Sequence, residues 1–446
     1  MSSVYYRAYF DTKDMMSLIT LLSISLIAFF VFKVMKKANA AIKPFYLPAL
    51  FLHVIAGISL GLLYVHYYGE SDTLIYFQEG LKLNELLFLD VKGYLNFLWS
   101  NAGDDTFLQT LVYTDKRALF MVKISSLVLL CSLNNYWIAS IYFSVISFLA
   151  SWQISNLLNY YFPSKRNAII FSFLFIPSVV FWSSGVVKES VALASLFCIV
   201  SNFIRLYKDG KLVWWQWLMM IICIWLLYNL KYYYLAVVIP VIITSLVVKR
   251  IITYWPKCLF IQELLLWLAI FCTFSLLVTQ LHPNFYPSRF LSVIYNNYLA
   301  FIANSAPEDV MHFQYLSENW INVTLLSPWA FVSGLFRPFI WESTNALQTI
   351  AAIENTCFLV LTISSLHGLK TLAKHPDRIL IFATLIYCFV LSVFLTLSTP
   401  NFGTLIRYRV GFLPFFIFLT ASSSPIFNLI INLLSSIRQK LVGNKP

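Results

Sequence analysis

Charge is what this chain has least of. Asp, Glu, Lys and Arg make up 11% of its 446 residues, where a soluble domain carries roughly 25%. With 60% of residues hydrophobic and a mean hydropathy of +0.76, no fold of this length can hide its apolar surface from water. Lipid must solvate much of it. Motifs are scarce too. There is no Walker loop, no GxGxxG, no HExxH and no Cys/His metal cluster, which removes the common nucleotide and zinc chemistries. The seven cysteines (Cys131, Cys198, Cys223, Cys258, Cys272, Cys357 and Cys388) contain no CxxC pair and read as small apolar core residues. Acidic residues are almost absent from the apolar stretches, Glu263 and Glu354 lying near their ends. An ion-coupled transporter more often places carboxylates at mid-membrane.

What is present is a series of apolar stretches long enough to cross a bilayer, each needing roughly 17–25 residues. They fall near 15–35, 45–68, 137–157, 167–184, 188–205, 213–230, 232–248, 259–281, 347–369, 379–398 and 410–430. The chain therefore reads as an all-α polytopic membrane protein of about 11 transmembrane helices, one membrane domain over 1–446. The first run lacks a small-residue cleavage site and leads into a basic loop, so it reads as a span and not a cleaved signal.

The net charge of +12 does not point to nucleic acid, because no basic run sits on a polar domain. The cations gather in short loops: Lys33/Lys36/Lys37/Lys43, Lys165/Arg166, Arg205/Lys208/Lys211, Lys249/Arg250/Lys257, Lys370/Lys374/Arg378 and Arg438/Lys440/Lys445. Alternation of the eleven spans puts all six on one side, the positive-inside side. The N-terminus then lies outside and the C-terminus in the cytoplasm. Residues 119–134 are apolar but short and contain Lys123; they read as a half-inserted helix on the outer face, where irregular structure is tolerated against protein or a water-filled cavity. Two outer-face elaborations follow, 69–136 with membrane-lying helices and 282–346, the latter too long for a plain connection. The first is acidic, with Glu70, Asp72, Glu79, Glu85, Asp90, Asp104, Asp105 and Asp115.

Charges in short turns beside the membrane are costly and therefore informative. GESDTLIYF (69–77) places Asp72 directly after the second span, where a carboxylate can act as a general base on a hydroxyl; a solvated helix cap is the competing reading. PSVVFWSSGVVKES (177–190) puts Lys188 and Glu189 at the start of a returning helix. Glu189 suits the helix dipole and Lys188 opposes it, so Lys188 needs an anionic ligand or an ion-pair partner. RYR (407–409) sets Arg407 and Arg409 around a tyrosine just before the last span. On an extended segment both guanidinium forks point one way and match phosphate oxygens; headgroup anchoring is the bland alternative. FRPFIWEST (336–344) brings Arg337, Trp341 and Glu342 to another span start, and Lys231 stands before three tyrosines, where aromatic-belt and snorkelling roles compete. With Lys123 these form a cationic outer face beside an acidic loop, suited to a phosphate-linked lipid.

The arrangement resembles the polytopic glycosyltransferases of the GT-C class. Asp72 in GESDTLIYF matches the acidic residue that follows an early span in that class. The basic turn PSKRN (163–167) and the tight turn WSSGVVKES follow in the same order, so the likeness covers about residues 45–250. RYRVGFLPFF resembles the late Arg-rich element of related polysaccharide polymerases of the Wzy and EpsG kind. The resemblance implies a GT-C-like fold in a bacterial inner membrane and sugar transfer from a polyprenyl-phosphate-linked donor to a glycan or glycolipid. Asp72 would be the base. Lys188, Glu189, Arg407, Arg409, Arg337 and Lys231 would line the donor phosphate, and Tyr76, Trp182 and Trp341 would stack on sugar rings. The partners are lipid-linked sugar and membrane lipid; no nucleic acid is expected. The class works with or without a divalent cation, so one stays possible here, and no ligand set in the sequence decides. The chain departs from the class in an additional span before Asp72, in the separation of Glu70 and Asp72 by Ser71, and in lacking a large C-terminal soluble domain. A repeat polymerase and a lipid-sugar flippase stay open as alternatives, the latter disfavoured by polar groups concentrated on one face.

Overall fold

The computed structural model describes residues 2–69, 71–100, 105–255, 258–368 and 372–443; Glu70, Asp104, Lys257, Lys370 and Lys445 lie outside them. Its helices are α1 Ser2–Lys36, α2 Tyr46–Leu63, α3 Asp72–Leu89, α4 Val91–Ser100, α5 Asp105–Leu108, α6 Lys116–Leu130, α7 Tyr136–Tyr161, α8 Arg166–Leu174, α9 Pro177–Trp182, α10 Lys188–Asp209, α11 Trp214–Tyr254, α12 Phe260–Val278, α13 Phe290–Asn304, α14 Trp320–Phe336, α15 Ala346–Ser365, α16 Arg378–Ser398, α17 Phe402–Tyr408, α18 Leu413–Ser423 and α19 Pro425–Gly443. Among the described residues there is no strand, only an isolated bridge between Val310 and Asn401. The protein is all-helical.

Among the described residues eight helices are long and apolar enough to cross a membrane, or nine if Phe402–Gly411 and Leu413–Ser423, bent by 72°, form one span. The shortfall from eleven has local causes. The 41-residue α11 counts once, yet its backbone leaves helical geometry at Lys231 (φ −145°, ψ 67°), between the two stretches expected there. The stretch 167–184 breaks into α8 and α9 because a residue before proline is steered away from helical geometry, and Pro177 follows Ile176. α1 carries the clearest lipid signature: its apolar window is only 6% buried, with Leu18, Leu21, Leu22, Leu26 and Phe29 exposed around it.

The chain forms two compact units. The first comprises Met1–Tyr161, Val180–Asn202 and Leu212–Tyr232; the second comprises Phe162–Val179, Phe203–Lys211 and Tyr233–Pro446. In the first, α2 packs on α7, and α3 on α6 and α4. Around Gly57 the α2–α7 seam is lined by small residues, which let helix backbones approach closely, and nearer its start Tyr46 of α2 packs edge-on against Phe148 and Trp152 of α7. Ser140, Ser144, Ser147, Ser151 and Ser155 are buried along α7, and Ser144 and Ser155 donate to carbonyls four residues back, at 2.8 and 2.7 Å. Gly57 of α2 faces Ser144 so closely that an added Cβ would lie 2.1 Å from its Oγ and 3.1 Å from the amide nitrogen of Gly185, itself at φ +79°. Gly57→Val is therefore expected to cost about 1–3 kcal/mol through overpacking, measured as a drop in thermal unfolding temperature in detergent; an unchanged midpoint would contradict the seam.

The helix α6 spans only 15 residues, about 22 Å at 1.5 Å per residue, short of a bilayer core of about 30 Å. It buries one face on α3. In the second unit α14 packs on α16 and α18 on α8 and α15, again with a small-residue contact, Gly334 against Ser392 and Thr396. The segment expected as a loop over 282–346 carries α13 and the 17-residue apolar α14.

Candidate active site in the first unit

α3 begins where Gly69, at φ +70°, ends the helical path that leads out of α2. Asp72 occupies its first turn, where a carboxylate is favoured by the exposed N–H groups. Its side chain is half-buried, and the phenol of Tyr113 donates a 2.6 Å hydrogen bond to its Oδ1. One helical turn on, the buried Tyr76 ring stacks on Tyr113 with centroids 5.1 Å apart. The Lys188 ammonium, from the first residue of α10, lies 5.5 Å over the Tyr76 ring. Lys188 forms no ion pair among the described residues. The charges acting most strongly on it are Asp72 and then Glu189, with weaker effects from Arg117 and Asp115. Tyr113 thus joins Asp72 and Tyr76, and Lys188 lies on the Tyr76 ring.

Glu79, seven residues after Asp72 on the same helix face, is buried. Its Oε1 accepts the backbone N–H groups of Val112 and of Tyr113, the latter at 3.0 Å. Burial pushes its carboxyl above the usual glutamate range, and the two N–H groups and Lys82 act in the opposite direction. Lys82 donates to the Thr110 carbonyl at 2.7 Å. Neither Tyr113 nor Glu79 stood out as a site residue in the sequence. The spacing Asp72, Tyr76, Glu79 (i, i+4, i+7) would have shown a single polar stripe once α3 was taken as a helix.

Other expected site residues take different roles. Lys231 and Glu189 form an ion pair at 2.8 Å with 3% and 0% side-chain exposure, so each neutralises the other in the interior instead of presenting charge to a ligand. Tyr76 is too enclosed to offer a face to a sugar. Trp182 packs on a cluster of Leu60, Tyr64 and Val187. Lys123, expected among the outer cations, is buried, lies over Phe97 and donates to the Leu98 carbonyl at 2.9 Å.

In the second unit Arg407 and Arg409 are not on an extended segment. Arg407 lies in the last turn of α17 and Arg409 begins the following 3-10 turn. Two residues apart on a helical path, their side chains diverge. Arg407 is half-buried. Arg409 is fully buried and donates to Asn355 Oδ1 at 2.6 Å, to the Leu335 carbonyl at 3.3 Å and to Glu354 at 3.3 Å; Glu354 also accepts the Ser178 backbone N–H at 3.0 Å. Arg409→Ala would leave Glu354 short of its cation, and breaking such a buried pair costs about 3–5 kcal/mol. The expected result is loss of folded protein in fluorescence size-exclusion chromatography, not a selective loss of donor binding. Arg337 is likewise engaged, by Glu342 at 2.9 Å, and lies over Phe402 at 5.4 Å. Trp341 is 81% exposed and stacks on Phe339.

Among the described residues no group of three or more His, Cys, Asp or Glu side chains is placed to hold a metal ion. Asp72 is flanked by a phenol and an ammonium, a donor set that does not fit a divalent cation. No family model, no curated protein and no solved structure matches the chain.

Proposed function

We propose that this chain is a multi-pass membrane enzyme that transfers a sugar from a polyprenyl-phosphate-linked donor to a hydroxyl of a glycan or glycolipid. The observation that carries the reading is one carboxylate, Asp72, oriented through one oxygen by Tyr113 and subject to the charge of Lys188, a cation with no ion pair among the described residues. In the proposed step the acceptor oxygen attacks the anomeric carbon while Asp72 takes its proton. The bond from that carbon to the phosphate oxygen breaks, and the polyprenyl phosphate leaves with the electron pair. Lys188 meets the charge developing on the leaving oxygen. In this reading eleven spans place both residues on the outer face of a bacterial inner membrane, in a GT-C-like arrangement. A repeat polymerase built on arginines is less well supported, because Arg409 and Arg337 are already engaged by Glu354, Asn355 and Glu342.

The test is a strain lacking the chain. Its lipid extract is expected to accumulate polyprenyl-phosphate-linked sugar, cleared again by the wild-type chain. Unchanged lipid-linked sugars and surface glycan would overturn the reading. Transfer of fluorescent lipid-linked sugar between leaflets of proteoliposomes, with its chemistry unaltered, would replace the enzyme with a transporter.

A further inference from the structure

The segment Thr110–Tyr113 is fastened along one face of α3 like a strap. At one end Lys82 holds the Thr110 carbonyl at 2.7 Å. In the middle the buried Glu79 carboxylate takes the N–H groups of Val112 and Tyr113. At the other end the Tyr113 ring stacks on Tyr76 and its hydroxyl reaches Asp72. Three successive positions on the α3 face, Asp72, Tyr76 and Glu79, thus grip one residue, Tyr113, through its hydroxyl, its ring and its backbone.

A buried carboxylate is an expensive way to satisfy two backbone N–H groups, because an isolated charge resists leaving water. A carbonyl or a water molecule would satisfy them without charge. What the carboxylate adds is strength and direction: charge-assisted bonds are shorter and roughly twice as strong as neutral ones, and both donors converge on one oxygen, Oε1. The backbone of Tyr113 is therefore held at a fixed height along α3, and its two-torsion side chain has little freedom left once the ring is stacked. The hydroxyl is delivered to Oδ1 of Asp72, which fixes the plane in which that carboxylate meets an acceptor hydroxyl.

We propose that Glu79 is a positioning residue that sets the orientation of the Asp72 carboxylate through the Tyr113 strap. This rests on the reading of Asp72 as the base. Glu79 itself touches no substrate; it acts through the backbone it holds.

The experiment uses the full-length chain with fluorotyrosine at position 113 and two readouts. The first is the 19F resonance of that ring in detergent. Glu79→Gln is expected to move it in the same direction as Asp72→Asn does, because both loosen the phenol. The second is clearance of polyprenyl-phosphate-linked sugar in the complemented strain. Glu79→Gln is expected to slow clearance about tenfold, the scale on which small misplacements act, and the double variant Glu79→Gln/Tyr113→Phe is expected to be no slower than Tyr113→Phe alone, since both break one chain of contacts. An unmoved resonance, or multiplying effects, overturns the proposal while an inactive Asp72→Asn keeps the base reading intact. If Asp72→Asn clears the precursor at the wild-type rate, the base reading falls and this proposal falls with it. Should Glu79→Gln fail to accumulate, Lys82→Met, which releases the same strap at Thr110, gives the same two readouts.

Discussion

Asp72→Asn is expected to lower sugar transfer by at least about 100-fold, the lower bound of what a positioned general base supplies, with little loss of folded protein. The substitution is nearly isosteric. The amide oxygen it introduces would still accept the Tyr113 hydroxyl that now reaches Oδ1 at 2.6 Å, by a weaker bond than the charged one but in the same register. At the start of α3 the lost carboxylate gives up a dipole contribution of only about 0.3–1 kcal/mol, which is small beside the stability of a helical membrane bundle. What the amide lacks is a proton acceptor of sufficient basicity. The chemical step then has no base, while Lys188 and the rest of the site remain in place. Two measurements separate this from a folding defect: the amount of monodisperse protein, expected to match wild type, and the polyprenyl-phosphate-linked sugar in the lipid extract, expected to match the deletion strain. Clearance at the wild-type rate would remove Asp72 from the chemistry and leave the carboxylate as a helix cap, the reading it competes with from sequence.

The sequence carried more of the fold than of the site, for physical reasons visible at individual residues. Membrane helices announce themselves through length and apolarity, and even the interruption of α11 falls at Lys231, the one charge between two apolar stretches. The stretch 167–184 hides its break because apolar composition continues across it, and only Pro177 signals that the helix must stop near Phe175 and Ile176. The alternation of Arg407 and Arg409 around Tyr408 fits an extended segment as readily as a helical one. Among the described residues no neighbouring strand is available to pair with it, and the segment is helical instead. At the site, Asp72, Tyr76 and Lys188 stand beside spans and could be nominated by position. Tyr113 could not, because it comes from an irregular segment 41 residues after Asp72 with no periodicity to place it. Lys231 and Arg409 look like ligand-binding cations for the same reason: pairing with Glu189 and Glu354, 42 and 55 positions away, leaves no trace in local spacing.

That second class of residue gives the other large effect. Lys231→Met is expected to destabilise the protein by about 3–5 kcal/mol, because it removes one member of a buried ion pair and takes the Lys231 ammonium from the Glu189 carboxylate. Glu189 has 0% side-chain exposure and Lys231 3%, so water cannot take over the missing charge. Glu189→Gln alone should cost a similar amount for the mirror-image reason. The double variant Lys231→Met/Glu189→Gln should recover part of the loss, since no buried charge is then left without its ion-pair partner, while the buried Gln amide still costs what its missing hydrogen bonds cost. The non-additivity measured in that cycle is the quantity that matters, because residues in direct contact do not add. A phosphate-binding lysine would behave differently: Lys231→Met would leave the unfolding temperature near wild type and raise the donor concentration needed for transfer, and the double variant would rescue nothing. Thermal unfolding of the four proteins in one detergent decides between these, and strict additivity of the two single losses would rule out the pair as a stabilising unit.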